Sequence, residues 1–328
     1  MRRFKMMDGV PRALLALTAA LAMSLSGCGT SAVSQDSPGP ATAASAAGPH
    51  GSPVEAAYLT SAGWNDGKAE IAFYRARRSL KRPGGPPQVQ SFLVGTYLVR
   101  HDFDPQAQSK AIRPTRTSIP SFKWALFYEV ESTNSYQFKR AYVVNAAQAD
   151  LHPLKDSFTS FDWCSNLYRE LAFLPDGTVR HLVRSDDYGN SRGEFKYPAG
   201  SYPVALLPLV MRALDFSTGR QQAFLVLLED GSTVPARAEL AGPDTIETPE
   251  GSREASKIIV HYDAQVPSLI GETADPSETY WRGTAADRPL LKLEAASGHY
   301  SMALVEKVRS AYWNENIFPR LEHVHERP

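Results

Sequence analysis

Cysteine is nearly absent: the 328 residues include two, Cys28 and Cys164. That excludes a disulfide scaffold, and a chain of this size with 43% apolar residues builds its stability from a core instead. Net charge is absent too, with 35 basic against 35 acidic residues. Nucleic-acid binders carry a basic excess, so no nucleic-acid partner is expected. Without residues 1–27, 31 basic and 34 acidic side chains remain, and a net charge of −3 does not recruit a domain to anionic lipid. The sequence also lacks a phosphate loop, a Gly-x-Gly-x-x-Gly fingerprint, a His-Glu-x-x-His pair and a Cys-x-x-Cys pair. The nucleotide, metalloprotease and redox chemistries that depend on those spacings are therefore not encoded, and no cofactor is implied.

What is present starts at the amino terminus. Arg2, Arg3, Lys5 and Arg12 give a basic start, an apolar stretch covers residues 13–25, and Leu25-Ser26-Gly27-Cys28 follows. So short an apolar run after a basic start is an export signal rather than a membrane span. Its ending has the form of a lipobox: small residues admit the chain to a peptidase, and the Cys28 thiol accepts the lipid. The expectation is a lipoprotein cut before Cys28 and held by fatty acyl chains such as palmitate, at about 0.8 kcal/mol per buried methylene. By resemblance to enteric lipoproteins, in which an aspartate after the cysteine retains the protein at the inner membrane, Gly29 implies the outer membrane facing the periplasm. Residues 28–56 are mostly Ser, Ala, Gly, Pro and Thr, and such a stretch reads as a disordered tether. The expected division is a signal at 1–27, a tether at 28–56, a β-rich domain at 57–315 and a tail at 316–328. A candidate internal boundary lies near 185–205, where Gly, Asp, Ser and Pro cluster.

Beyond the tether, short runs rich in β-branched and aromatic residues alternate with turn signals. Strands are predicted at 69–77, 91–99, 122–130, 136–145, 167–174 and 178–184, then at 223–228, 233–240, 257–263, 278–282, 290–294 and 299–308. In the second of these, Phe92, Val94, Thr96 and Leu98 share one face and Leu93, Tyr97 and Val99 the other. Pro175-Asp176-Gly177, Glu229-Asp230-Gly231 and Ser297-Gly298 are hairpin turns by composition. One helix is predicted at 206–216, from the helical spacing of Leu206, Leu209, Val210, Ala213 and Leu214, with Pro208 in its first turn. Strands and helices do not alternate, so a parallel nucleotide-binding sheet is excluded. The expected fold is mainly β: a curved antiparallel sheet forming a barrel or half-barrel around one short helix.

Four features carry candidate chemistry. Trp64-Asn65-Asp66-Gly67-Lys68-Ala69-Glu70 contains a turn, and Asp66, Lys68 and Glu70 are candidates for a small charged site. Phe161-Asp162-Trp163-Cys164-Ser165-Asn166 holds a thiol whose nearest basic residue in sequence is Arg169. A lone cysteine between aromatics reads first as a small core residue. As a nucleophile Cys164 would need His101, His152, His181 or His261 brought beside it. His323-Val324-His325-Glu326 places two imidazoles on one side of a strand, but at a chain end, so no metal site is assigned. Tyr58, Trp64, Tyr280, Trp281, Tyr312 and Trp313 either line a groove or, the plainer reading, complete the core.

The Trp64–Glu70 string, His101-Asp102-Phe103 and Asp162-Trp163-Cys164 together resemble a family of bacterial lipoproteins of unknown function that often carry the label "septum formation inhibitor Maf". The family shows Glu-Trp-Cys-Gly where this chain has Asp162 and Ser165. In the C-terminal third, residues 245–260, Glu278-Thr279-Tyr280-Trp281, Arg288-Pro289-Leu290-Leu291 and Tyr312-Trp313 look like a broader group of exported β proteins. That group's curved antiparallel sheet is distantly similar to the carriers that move lipoproteins across the periplasm. The two resemblances cover most of residues 60–315 and imply a fold and an envelope location, not an activity.

Two roles follow. One is a non-enzymatic envelope lipoprotein, bound to membrane lipid through acylated Cys28, whose sheet takes an apolar or amphiphilic ligand or an envelope partner. The other is an envelope hydrolase or transferase using Cys164 or the Asp66/Lys68/Glu70 group. The missing motifs place binding ahead of catalysis.

Overall fold

A strand that alternates apolar and polar residues buries one face, and many such strands bury it together by curling. A computed structural model of the chain describes residues 52–80, 85–131, 137–271 and 273–316. The export segment, Cys28, the tether through residue 51 and the His323-Val324-His325-Glu326 string lie outside the described residues. Ordered structure begins earlier than the expected tether end: Val54 is buried and bridges to Leu214.

A short helix α1 (Ala56–Leu59) and a 3-10 turn (Ala62–Trp64) lead into β1 (Ala69–Leu80). Then come β2 (Gln88–Asp104), the two-residue β3 (Ser109–Lys110), β4 (Ile119–Glu131), β5 (Gln137–Ala147) and β6 (Pro153–Phe161). They are followed by β7 (Asn166–Phe173), β8 (Thr178–Ser185), β9 (Ser191–Lys196) and β10 (Ser201–Pro203). Helix α2 (Leu207–Ala213) precedes β11 (Gln221–Leu227), β12 (Thr233–Thr248), β13 (Gly251–Pro267), β14 (Ala274–Gly283), β15 (Leu290–Ala295) and β16 (Tyr300–Ser310).

The strands form one curved sheet in the order β10 to β16, then β1, β2 and β4 to β9, with β3 paired to β2. Among the described strands only β10 and β11 run parallel. The two halves of the chain meet where β16 lies against β1, with Ala69 opposite Ser310. The edges are β9 and β10, which are consecutive in the chain, so the candidate boundary at 185–205 falls at the sheet's two margins. Among the described residues no ladder joins these margins. Side chains fill the seam instead: Phe195 and Tyr197 pack with Leu171, Phe173, Val179 and Leu227. Arg169 of β7 pairs with Glu229 in the β11–β12 turn across the same seam. The Phe195 ring lies over Gly231, where an added Cβ would sit 3.0 Å away, and Gly231 has φ 86°.

The expected hairpins are present. Gly177 takes φ 74° in the β7–β8 turn, a conformation that costs glycine nothing. On β2, Val94, Thr96 and Leu98 face inward and are buried, as the alternation predicts. Strands β3, β6, β9 and β10 are not foreseen. β6 carries Lys155, Asp156, Ser157, Thr159 and Ser160, and the exposed edge β9 carries Arg192, Glu194 and Lys196, so neither shows a clear apolar alternation.

Helix α2 occupies the lumen. It is too short to persist alone in water, yet every residue from Leu207 to Ala213 is buried. Leu209, Val210 and Met211 join inward side chains of β1, β2, β4, β5 and β11 to β16 in one core. Burial of each contributes roughly 1.5–3 kcal/mol relative to exposure. Leu59 and Trp64 close the end of the barrel beside the α2 C-terminus, and Leu269 and Ile270 close the opposite end. The barrel or half-barrel around one helix is therefore confirmed, with a filled interior.

Candidate functional site

The Trp64–Glu70 string does not gather into a charged site. Asp66 lies on the surface, where its Oδ1 accepts the Lys68 N–H at 2.9 Å and pairs with Arg309 at 2.7 Å. Its slight burial opposes the charge, but the hydrogen bonds from Arg309 and the Lys68 N–H prevail and hold its pKa below the usual range. Glu70 points the other way, into the core, because alternation along β1 turns even positions inward. There it grips Arg212 of α2 through two bonds, 2.7 and 3.0 Å long. Arg212 also donates to the carbonyls of Arg288 at 2.9 Å and Asp287 at 2.7 Å. Burial disfavours its charge, but Glu70 outweighs that and holds the guanidinium protonated. Trp64 lies between Arg212 and Arg309, whose guanidinium carbons are 5.4 and 5.1 Å from its ring centre. The string is a clasp that fixes the inner helix to the wall.

Cys164 is exposed, which corrects the plainer reading of it as a core residue. It sits in the β6–β7 turn, where Asp162 Oδ1 accepts the N–H groups of Cys164 at 2.6 Å and Ser165 at 2.8 Å. The candidate histidines are elsewhere. His101 on β2 is buried and donates to Asn145 at 3.1 Å. Burial first, then Lys110 and Lys123, push its pKa down to about 4. His152 packs edge-on to Tyr197. His181 and His261 lie within β8 and β13. Among the described residues no group of His, Cys, Asp and Glu is arranged to hold a metal. Tyr58, Trp64, Tyr280 and Trp281 are core residues as expected, but Tyr312 and Trp313 are exposed.

Three constellations emerge only in three dimensions or were passed over in sequence. Gly189-Asn190-Ser191-Arg192-Gly193 has the spacing of a nucleophile elbow. It is a hairpin leading into β9, not a strand-to-helix turn, so its serine lacks that geometry. Asp275, Ser297 and His299 come together, but Ser297 and Asp275 both face His299 Nδ1 while Nε2 faces Thr273. That leaves no nitrogen to relay a proton from serine while the carboxylate orients the ring. Glu278 accepts hydroxyls from Tyr262 at 2.6 Å, Tyr280 at 2.5 Å and Tyr300 in the buried interior, where burial pushes its pKa up. It is a satisfied core network.

An open apolar feature lies on the outer face. Outward positions of β1, β2, β4, β5 and β6 line a groove of about 850 Å³. Phe73, Leu93, Phe127, Ala141 and Phe161 supply its apolar surface, and Arg75, Glu129, Lys139 and Arg140 its polar margin. Gly95 forms the floor under Phe127: an added Cβ would lie 2.4 Å from the Phe127 ring. Phe127 and Phe161 remain 43% and 48% exposed, unusual for large apolar side chains in a chain with so complete a core. Lys139 and Glu129 pair at 2.6 Å across one margin. The Phe73 and Leu93 positions follow from alternation, but the sequence does not reveal that the outer faces of five strands would be concave together.

No protein-family model matches the sequence, and no curated protein matches it. Among solved structures the chain is similar to a "Beta-barrel-like Protein of Domain of Unknown Function DUF1849 from Brucella abortus". The two share 6% identity with a TM-score of 0.45, over 74% of this chain and 98% of that one. No helix among the described residues is long and apolar enough to cross a membrane.

Proposed function

We propose that the protein is a lipid-anchored envelope lipoprotein whose outer groove receives the acyl chain of an amphiphile. The groove carries this reading. Its volume of about 850 Å³ falls within the range of small-molecule sites, roughly 300–1,000 Å³. Its lining of phenylalanine, leucine and alanine suits a hydrocarbon chain, and the charged side chains at its margin, with Lys139 paired to Glu129, suit a polar head group held at the rim. The lipobox at Cys28 supplies the anchor. The filled lumen moves the binding surface from the inside of the sheet, where a curved β protein would be expected to use it, to the outside. The enzymatic alternative has no assembled group to support it, since Glu70 is sequestered from Asp66 and Cys164 is a free, exposed thiol with no histidine beside it among the described residues.

The test uses the full chain carrying Cys28→Ala, so that no acyl group of its own competes, and cis-parinaric acid as a fluorescent ligand. Saturable one-to-one binding is expected. Gly95→Leu, which fills the groove floor, and Phe127→Ala, which removes a wall, weaken it about tenfold with unchanged thermal melts. Equal binding by all three proteins would overturn the reading. Acylation is checked separately, by mass spectrometry of the amino-terminal peptide of the mature chain.

A further inference from the structure

Phe161 stands at one end of the groove. Strand β6 stops there, and the next turn presents Trp163, 85% exposed. The neighbouring β8–β9 turn presents Tyr188, also 85% exposed. The two turns stand side by side because β7 pairs with β8, Leu167 opposite Ser185. Both are stiff. Asp162 fixes the first through Cys164 and Ser165. In the second, Ser185 Oγ accepts the N–H groups of Asp187 at 3.2 Å and Tyr188 at 3.0 Å. Asp186 ties the turns together by accepting from Asn166 N at 2.9 Å and Nδ2 at 3.2 Å. Ordering these aromatic tips therefore costs little on binding.

We infer that Phe161, Trp163 and Tyr188 enter the headgroup region of a bilayer and open the groove directly onto it. The inference rests on the groove reading and names where its ligand comes from. Tryptophan and tyrosine are the side chains that settle at that depth, with an apolar ring and a polar edge. Charge does not drive the contact: exposed Arg184 and Arg192 are balanced by exposed Asp186 and Asp187 beside the tips. The anchor permits this orientation. The described chain begins against the α2 C-terminus, at the barrel end away from the tips, with Glu55 N–H on Ala213 O and Asp215 N–H on Pro53 O. The stretch from Cys28 to Ser52 reaches up to about 80 Å when extended, whereas a twelve-residue strand such as β1 spans roughly 40 Å. The tips can thus turn to the same membrane that holds the anchor. Phe161, which lines the groove together with Gly95, then stands between the tips and the groove floor.

The experiment reads tips and groove separately. The full acylated chain is placed in phosphatidylethanolamine and phosphatidylglycerol vesicles with dibrominated acyl chains, and tryptophan quenching is measured. Quenching that persists in high salt, disappears in Trp163→Phe and remains in Trp313→Phe is the expected result. Quenching that is unchanged in Trp163→Phe, or lost only in Trp313→Phe, overturns the inference; so does absence of quenching, the outcome if the tips bind a protein instead. Transfer of cis-parinaric acid from vesicles should slow about tenfold in Trp163→Ser/Tyr188→Ser. Binding of the same probe without vesicles stays unchanged in that variant. If solution binding is itself missing in the parent, the groove reading fails, while the quenching result still decides the tips.

Discussion

Asp156 shows how far a single buried group departs from its ordinary chemistry. It lies on the inner face of β6 near the seam, and its Oδ1 has no partner among the described residues. Burial pushes its pKa up to about 6, and Arg169 offsets only part of that. Because the folded value lies above the unfolded one, this carboxyl opposes folding above pH 6. The opposition fades as pH falls from about 6 to 4, a change of up to about 3 kcal/mol. His101 acts in the opposite sense. Its folded pKa is depressed, so its contribution is fully present above pH 6.5 and is lost as pH falls toward about 4. In the native chain the two slopes oppose one another. Urea unfolding at a series of pH values should therefore separate the variants: Asp156→Asn is more stable than the parent at pH 7.5 and loses more stability on acidification, whereas His101→Gln loses less. Parallel pH profiles for all three would show that neither group titrates as described.

At the scale of elements, α2 depends on the clasp from β1. A guanidinium buried without its carboxylate costs about 3–5 kcal/mol, so Glu70→Ala should lower the unfolding free energy measured in urea by that amount. Glu70→Leu combined with Arg212→Met should recover most of it, since no charge is then left in the core. Failure of the double variant to exceed Glu70→Ala would mean the pair is not the source of the loss. This contact also marks where the sequence stops being legible. Leu206, Leu209, Val210 and Ala213 announce a helix because the signal lies within one turn of each residue. Arg212 is passed over because its partner is 142 positions away. The hairpins around Gly177 and Gly231 were readable for the same local reason, whereas β9 was not, since an exposed edge strand protected by charge has no apolar face to display. Cys164 was misjudged because its aromatic neighbours Phe161 and Trp163 suggest a core, and only the turn around Asp162 places them outside. The outer groove needed five strands at once, and no stretch of the chain contains that information.

For the molecule as a whole, the sheet is long enough to wrap a helix but is held shut by side chains alone along one line. The filled interior and the side-chain seam give the protein a rigid body whose variable parts are turns and outer surface. The order of strands has a further consequence. Around the barrel, every junction except one joins strands that are near in sequence; the exception is β16 against β1, whose first paired residues are 69 and 310. Forming that contact requires closing a loop of most of the chain, which costs about 3 kcal/mol more entropy than a ten-residue turn. A circular permutant, cut at 198–199 between β9 and β10 and rejoined from 316 to 52 by a short glycine-serine linker, would start with the short parallel strand β10 and then run as an up-and-down meander from β11 through β16 to β1 and on to β9. It should refold faster than the parent in stopped-flow experiments while reaching the same barrel, because the slow closure is replaced by a local one.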